Sequence, residues 1–185
     1  MQESTVAGLA GRPALTKRQV LGRYALLLGK AARRGKAPGV ARRFLQVAWH
    51  LAPQLPELYV ELGRCALGEW ELARAERCFA RASALDPASD EARLGRAEIL
   101  LRRGRIDGAR AAIEGVLAAD AEDFDALVLR GEVFLARQDY RSAQDTFLVL
   151  TRQRPASSRP WRGLGLAYLG RGDRNNAARC IATAW

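Results

Sequence analysis

The chain has 185 residues, of which 27% are charged, and its 30 Lys and Arg against 20 Asp and Glu give a formal charge of +10. It contains no apolar run of about 18 residues, which excludes a transmembrane helix, and its three cysteines are too few and too scattered for a disulfide framework. The first residues do not form a basic segment followed by an apolar core, so we expect no secretory signal and a cytoplasmic location.

Residues 1–15 are rich in glycine and other small residues, and we expect a flexible segment there. Thr16 and Gln19 predict a capping box that starts a first helix at Lys17. This helix is expected to run to about Arg34, with the turn at residues 35–39. Pro38 suits the first position of a second helix, where its missing N–H costs nothing, and that helix is expected to end near residue 51.

The stretch 56–89 contains two amphipathic helices joined by a short turn. The spacing i, i+3, i+4, i+7 places four residues on one face of the first helix, and a similar spacing places three on the second. Small residues at Gly63 and Ala75 allow the two backbones to approach each other. Asp86 and Pro87 end the second helix, because proline cannot continue it. Trp70, in the turn between the helices, is expected to pack over that turn, and the alternative is that it is exposed as a contact. The two faces are formed by Tyr59, Leu62, Gly63 and Ala66, and by Ala75, Phe79 and Ala82.

The same pattern recurs every 34 residues without a gap. A fixed period of this length is typical of a solenoid of helical hairpins, so we predict an all-α fold in which residues 16–185 form one array. In the third unit Arg93 and Arg96 stand at positions that are apolar in the second, and a small rotation burying Leu94, Ala97 and Leu101 is expected there. The five units are about 22–55, 56–89, 90–123, 124–157 and 158–185.

These residues resemble the tetratricopeptide repeat (TPR) family. The family pattern of aromatic, leucine, glycine, aromatic, alanine, aromatic and proline positions is visible in the fourth and fifth units, at Leu127, Gly131, Phe134, Ala143, Phe147 and Pro155, and at Trp161, Leu164, Gly165, Tyr168 and Ala177. The resemblance implies a right-handed superhelix of about five hairpins. It also implies that the first helix of each pair lines a concave groove that holds a peptide or a helix.

Two aliphatic rows at intervals of 34 lie on the first helices and are predicted to face this groove, with charged residues between them. The alternative is that the aliphatic side chains pack between successive first helices and expose only their edges. The first row is Leu26, Val60, Leu94 and Val128, the second is Leu67, Leu101, Leu135 and Leu169, and the charged residues are Lys30, Arg64, Glu98 and Glu132.

Positive charge is concentrated at the amino-terminal end. Residues 1–55 carry ten Lys or Arg and one acid, whereas the next four units carry −2, −2, +1 and +4. A concentrated field raises encounter rates with acidic protein, lipid headgroups or nucleic acid, and nucleic acid is the least favoured because few aromatic residues are interleaved. The alternative is a solvated, arginine-rich surface. The predicted basic patch is Arg23, Lys30, Arg33, Arg34, Arg42 and Arg43.

No arrangement of residues suggests catalysis, a cofactor or a metal. The single histidine, His50, has no cysteine or acidic cluster at ligand spacing, and the acidic run at 120–125 lacks the glycine and final glutamate of a calcium loop. We therefore expect a non-catalytic scaffold or adaptor that binds a protein partner. The exposed face of its last hairpin is expected to stack either on a partner or on another copy of the chain, which would make the protein self-associate. The alternatives are a secretion-type chaperone for a client protein and a regulatory region of a larger enzyme.

Overall fold

The computed structural model describes residues 16–184, so the flexible segment expected at 1–15 lies outside the described residues. Ten helices and no strand lie within the described range, which confirms the all-α prediction. The helices are α1 (Lys17–Arg34), α2 (Pro38–Leu51), α3 (Pro56–Gly68), α4 (Leu72–Leu85), α5 (Asp90–Arg102), α6 (Ile106–Leu117), α7 (Phe124–Ala136), α8 (Tyr140–Gln153), α9 (Ser158–Gly170) and α10 (Arg174–Thr183).

The first helix begins with the predicted capping box. The Thr16 hydroxyl accepts a hydrogen bond from the backbone N–H of Gln19 at 3.3 Å, and Gln19 Oε1 accepts one from the Thr16 N–H at 2.9 Å. These contacts satisfy donors that the first turn of a helix leaves unpaired. Pro38 occupies the start of α2, as its fixed φ favours.

Successive helices form antiparallel pairs. In the first pair, Gly22 near the start of α1 lies close to Ala52 at the end of α2, and Gly29 further along α1 lies close to Leu45 earlier in α2. The first helices of neighbouring pairs also touch each other, from α1 through α3, α5 and α7 to α9. Among the ten described helices, no second helix touches another second helix. The second helices therefore splay apart, and the first helices line the inner, concave side of the array.

The turn inside each pair uses one residue in the left-handed region of backbone space. Glycine fills this position at Gly104 and Gly172, with φ of +72° and +83°. Lys36, Trp70 and Gln138 adopt φ values near +60° at the equivalent positions. Such a conformation costs a residue with a side chain roughly 1–2 kcal/mol, so the hairpin geometry is maintained even where the sequence does not favour it.

Each junction between pairs is filled by one side chain from a second helix. The fully buried ring of Phe79 lies between Gly63 of its own pair and Gly95 of the next pair. A Cβ atom at either glycine would come less than 3.0 Å from ring carbons of Phe79. Protein interiors are too closely packed to absorb such an overlap, so an aromatic residue here requires glycine on both sides.

The three junctions that contain Phe79, Ile113 and Phe147 alternate between two solutions. Phe147 repeats the arrangement of Phe79, because it lies between Gly131 and Gly163 and both would clash with it if they carried a Cβ atom. At the junction between these two, the second helix carries the smaller Ile113. The two positions that are glycine beside Phe79 and Phe147 are here Ala97 and Leu129, and all three residues belong to one buried cluster. Large and small side chains therefore compensate each other across successive junctions.

The rotation expected for the third unit does not occur: Leu94 and Ala97 are buried as expected, but they are the equivalents of Val60 and Gly63, which α3 also buries. The two helices differ only towards their carboxyl-terminal ends, where α5 buries Ile99 and leaves Leu101 half-buried, whereas α3 buries Ala66 and Leu67. The two arginines are accommodated at the surface without a change of register: Arg93 pairs with Asp90 at 2.8 Å, and Arg96 is exposed.

Gly95→Ala is expected to destabilise the protein by about 1–3 kcal/mol, because the new methyl group overpacks the site occupied by the Phe79 ring. The matched control is Gly115→Ala in α6, where an added Cβ meets nothing within 4 Å. Alanine is the better helix former by about 1 kcal/mol, so the control should be neutral or stabilising. Urea unfolding followed by circular dichroism measures both variants, and equal effects would contradict the packing described.

Candidate binding groove

A concave pocket of about 450 Å³ opens on the inner surface of the array, where α3, α5, α7 and α9 lie side by side. Its lining includes four residues that the sequence predicted for the groove: Leu67, Leu101, Glu98 and Glu132. It also includes four that were not predicted for the groove: Trp70, Arg102, Arg159 and Arg162.

The first predicted aliphatic row does not face this groove. Leu26, Val60, Leu94 and Val128 are between 1% and 6% exposed and belong to the four buried clusters. These side chains are covered by the neighbouring pairs that stack beside them. The prediction of an exposed first row is therefore wrong, and the alternative of packing between successive first helices describes these residues.

The second aliphatic row becomes more exposed along the array. Leu67 is 4% exposed, Leu101 and Leu135 are half-buried, and Leu169 is 45% exposed. Only the outer edges of Leu101 and Leu135 are available, since both also pack against buried clusters. The exposed part of this aliphatic row is consequently narrow and lies towards the carboxyl-terminal half of the groove.

Charged side chains beside this row are held by ion pairs. Arg159 donates two hydrogen bonds of 2.8 Å to the carboxylate of Glu132, and it lies 3.4 Å from Glu98. Burial alone would lower the pKa of Arg159, but the hydrogen bonds and charge of Glu132 outweigh this and raise it above its usual value. Arg64 lies 3.1 Å from Glu61 and within 4 Å of two further acids. The groove therefore presents charges in fixed positions.

Many of these contacts join residues 27 apart in the chain, which is one repeat less two helical turns. Arg64 contacts Glu91 and Glu132 contacts Arg159 at this spacing on the first helices. A parallel series joins the start of one second helix to the end of the next first helix, at Arg42–Glu69, Glu76–Arg103 and Gln144–Arg171. Opposite charges at a separation of 27, present in all of these pairs except Gln144–Arg171, were a signal in the sequence for such contacts.

One carboxylate is buried inside the array. The Glu61 side chain is 1% exposed and pairs with Arg33 at 2.6 Å and with Arg64 at 3.1 Å. Burial alone would raise the pKa of Glu61, but the hydrogen bond and charge of Arg33, with help from Arg64, outweigh it and hold the pKa below its ordinary value. Glu61 thus connects the first hairpin to the second through a charge that is fully compensated.

The predicted basic patch divides into two groups. Arg33 is engaged by Glu61 and Arg42 by Glu69, so these two side chains hold neighbouring hairpins together. The remaining four show no ion pair with the described residues. Of these, Arg23, Arg34 and Arg43 are exposed and Lys30 is half-buried.

The Trp70 side chain does not pack over its turn as expected. It is 73% exposed, as in the alternative for this residue, and the central guanidinium carbon of Arg102 lies 4.7 Å from the centre of its ring. Trp70 has a left-handed backbone conformation, and its side chain lines the pocket together with Leu101. An arginine stacked on tryptophan is stabilised by the negative face of the ring.

Other candidate residues have structural explanations. Burial raises the pKa of the thiols of Cys65, Cys78 and Cys180, which are all free. Asp123, in the acidic run, accepts a hydrogen bond of 2.7 Å from the Ala126 N–H and caps α7. Between residues 16 and 184 no group of three metal-ligating side chains occurs, and no helix is long and apolar enough to cross a membrane.

Comparison with known families decides the classification of the chain. The profile described as Tetratricopeptide repeat matches residues 66–131 and 100–166, which together cover more than half of the sequence. The chain belongs to the tetratricopeptide repeat family. This confirms the resemblance found in the repeat pattern, and the family's fold is that of a protein-interaction scaffold.

Solved tetratricopeptide repeat proteins share the architecture. TTC0263 from Thermus thermophilus has 17% sequence identity and a TM-score of 0.74, with 88% of this chain and 89% of that chain covered. MamA (residues 41 to the end) from Desulfovibrio magneticus RS-1 has 20% identity and a TM-score of 0.57, covering 92% of this chain and 95% of that one. At these identities the likeness shows the fold alone.

A sequence relative is an enzyme of which only a small part is matched. Protein adenylyltransferase fic-1 from Caenorhabditis briggsae is 36% identical over 76 residues, which are 40% of this chain. The match spans 15% of that protein. The similarity therefore concerns a portion of fic-1 and leaves most of that protein without a counterpart here.

In this tetratricopeptide repeat array, Glu61→Gln removes the charge between Arg33 and Arg64 and keeps the side-chain size. Because the folded-state pKa of Glu61 is lowered, its carboxylate stabilises the fold at neutral pH, and this contribution disappears as the pH falls through the ordinary carboxyl range and below. We expect the variant to be about 1–3 kcal/mol less stable near pH 7 and to lose less stability than wild type on acidification.

Urea unfolding between pH 7 and pH 3 measures both effects of Glu61→Gln. Glu114→Gln is the control, because Glu114 is exposed and lies 3.5 Å from Arg110 within one helix. An acid-induced loss of stability in the Glu61 variant equal to that of wild type would contradict the assignment.

Proposed function

We propose that this protein is a non-catalytic scaffold whose concave groove binds an extended segment or a helix of a partner protein. The observation that carries the proposal is the pocket where the exposed ring of Trp70 and the edge of Leu101 lie among arginines and glutamates. Repeat proteins use such extended concave surfaces for binding. Apolar contacts would supply affinity here, and the charged groups would select the partner.

The fixed charges support recognition of a polypeptide. Arg102 donates to the Leu67 carbonyl at 2.6 Å and to Glu98 at 2.9 Å, so its guanidinium is already oriented when a partner arrives. Prearranged side chains reduce the entropy lost on binding. Arg162, in the same pocket, is exposed and has no ion pair within residues 16–184, and it is the group proposed to meet a carboxylate of the partner.

A second candidate function is a regulatory repeat region of an enzyme. The match to part of an adenylyltransferase favours it, since that protein combines a segment similar to this chain with a much longer remainder. On this proposal the groove would bind a segment of the enzyme or of its substrate protein. The secretion-chaperone role, the cytoplasmic location and self-association through the last hairpin stay predictions.

Trp70→Gly combined with Arg162→Glu is expected to weaken partner binding by about tenfold or more, which corresponds to about 1.4 kcal/mol. Both side chains are exposed, and glycine suits the positive φ at position 70, so the fold should be retained. The probes are peptides selected from a random phage-displayed library on the wild-type protein, with affinities measured by isothermal titration calorimetry.

The matched control is Val149→Glu, which changes an exposed apolar residue on α8, a second helix outside the groove. Leu101→Glu provides a further groove variant, with its folding checked by circular dichroism because Leu101 also packs against a buried cluster. The proposal fails if the selected peptides bind the groove variants as tightly as wild type, or if only Val149→Glu weakens them.

A further inference from the structure

Exposed apolar surface is concentrated on the first hairpin. Of the twelve large apolar residues exposed in the described part of the chain, eight lie in α1 or α2. Five of them lie on one face of α1: Val20, Leu21, Tyr24, Leu27 and Leu28. Contiguous patches of this kind mark interaction sites. Val20, Tyr24 and Leu27 also line a pocket of about 230 Å³ together with Arg23.

This face is the one that later first helices use for stacking. Tyr24 is 62% exposed and Leu27 is 59% exposed, yet the equivalent residues 34 further on, Leu58 and Glu61, are buried. Leu58 packs against Ala25 and Leu45 of the preceding pair. The positions equivalent to Tyr24 and Leu27 are also buried in α5, α7 and α9. The face of α1 therefore has the form of a repeat junction.

A junction inside the array shows what would complement the charge. Arg23 is equivalent to Arg159, four repeats further on, and Arg159 pairs with Glu132 of the preceding first helix at 2.8 Å. Residues 16–55 contain nine Lys or Arg and no acid. A helix that covered α1 as α7 covers α9 would place the residue equivalent to Glu132 opposite Arg23, and an acidic residue there would complement the charge.

The charges disfavour a second copy of this chain as the occupant. Head-to-tail stacking would bring α9 and α10 onto this face, and residues 158–185 carry five arginines and one aspartate. Two faces of α1 meeting head to head would both be basic. Like charges placed against each other destabilise such contacts.

We propose that the apolar, basic face of α1 binds an acidic amphipathic helix of a partner protein, docked as a preceding repeat would be. Apolar side chains of that helix enter the pocket beside Tyr24 and Leu27, and a glutamate or aspartate pairs with Arg23. This site is separate from the concave groove.

The test uses two fluorescein-labelled, stapled helical peptides of about 18 residues with the same leucine stripe, spaced i, i+3, i+4, i+7 to form a continuous apolar face. One carries glutamate and the other lysine beside the stripe. The full chain should bind the glutamate peptide in fluorescence anisotropy at least about tenfold more tightly than the lysine peptide. Tyr24→Asp with Leu27→Asp should abolish binding, and Val149→Asp should not change it.

Charge reversal at one position gives the sharpest outcome. Arg23→Glu should lower the affinity for the glutamate peptide and raise the affinity for the lysine peptide, each by about tenfold. The proposal is overturned if both peptides bind alike, if the Tyr24 and Leu27 variants bind normally, or if Arg23→Glu changes neither affinity. Two further results would overturn it. One is that the chain binds vesicles of phosphatidylcholine and phosphatidylglycerol through this face and does not bind the peptide. The other is that light scattering shows a dimer which Tyr24→Asp dissociates.

Discussion

The stack depends on one packing constraint, which is the size of the residues that meet the buried side chain at each junction. The ring of Phe79 fits only because Gly63 and Gly95 lack a Cβ atom, and the ring of Phe147 is placed in the same way. Where the smaller Ile113 takes this position, Leu129 fills the space from the next pair. Each junction is therefore matched across two hairpins, and the matching fixes how closely the first helices approach.

Close approach of the first helices brings their polar side chains into contact and so creates the groove surface. Arg159 reaches Glu132, and Arg33 reaches Glu61, only because adjacent first helices touch. These pairs orient the arginines before any partner binds. The same stacking explains the open face of α1, where Tyr24 and Leu27 occupy junction positions that the described residues leave uncovered.

The period of 34 residues predicted the fold class, and local signals predicted the bounds of several helices, such as the capping box at Thr16. The groove was harder to predict, because residues on one helix face divide into buried and exposed groups only after neighbouring pairs stack. Val60 and Leu101 look alike in the sequence, yet Val60 is buried and Leu101 keeps an exposed edge. Trp70 is exposed and has a left-handed backbone conformation, neither of which a tryptophan in the sequence suggests.

The most direct test of this account transfers one junction onto another. Phe79→Ile with Gly95→Leu installs the pair found at Ile113 and Leu129, and unfolding free energies of the double variant and both single variants form a double-mutant cycle. We expect Gly95→Leu alone to be strongly destabilising and the second change to recover much of the loss, with a coupling of about 1–3 kcal/mol. Additive effects would show that the two side chains do not share one space and would contradict the central claim.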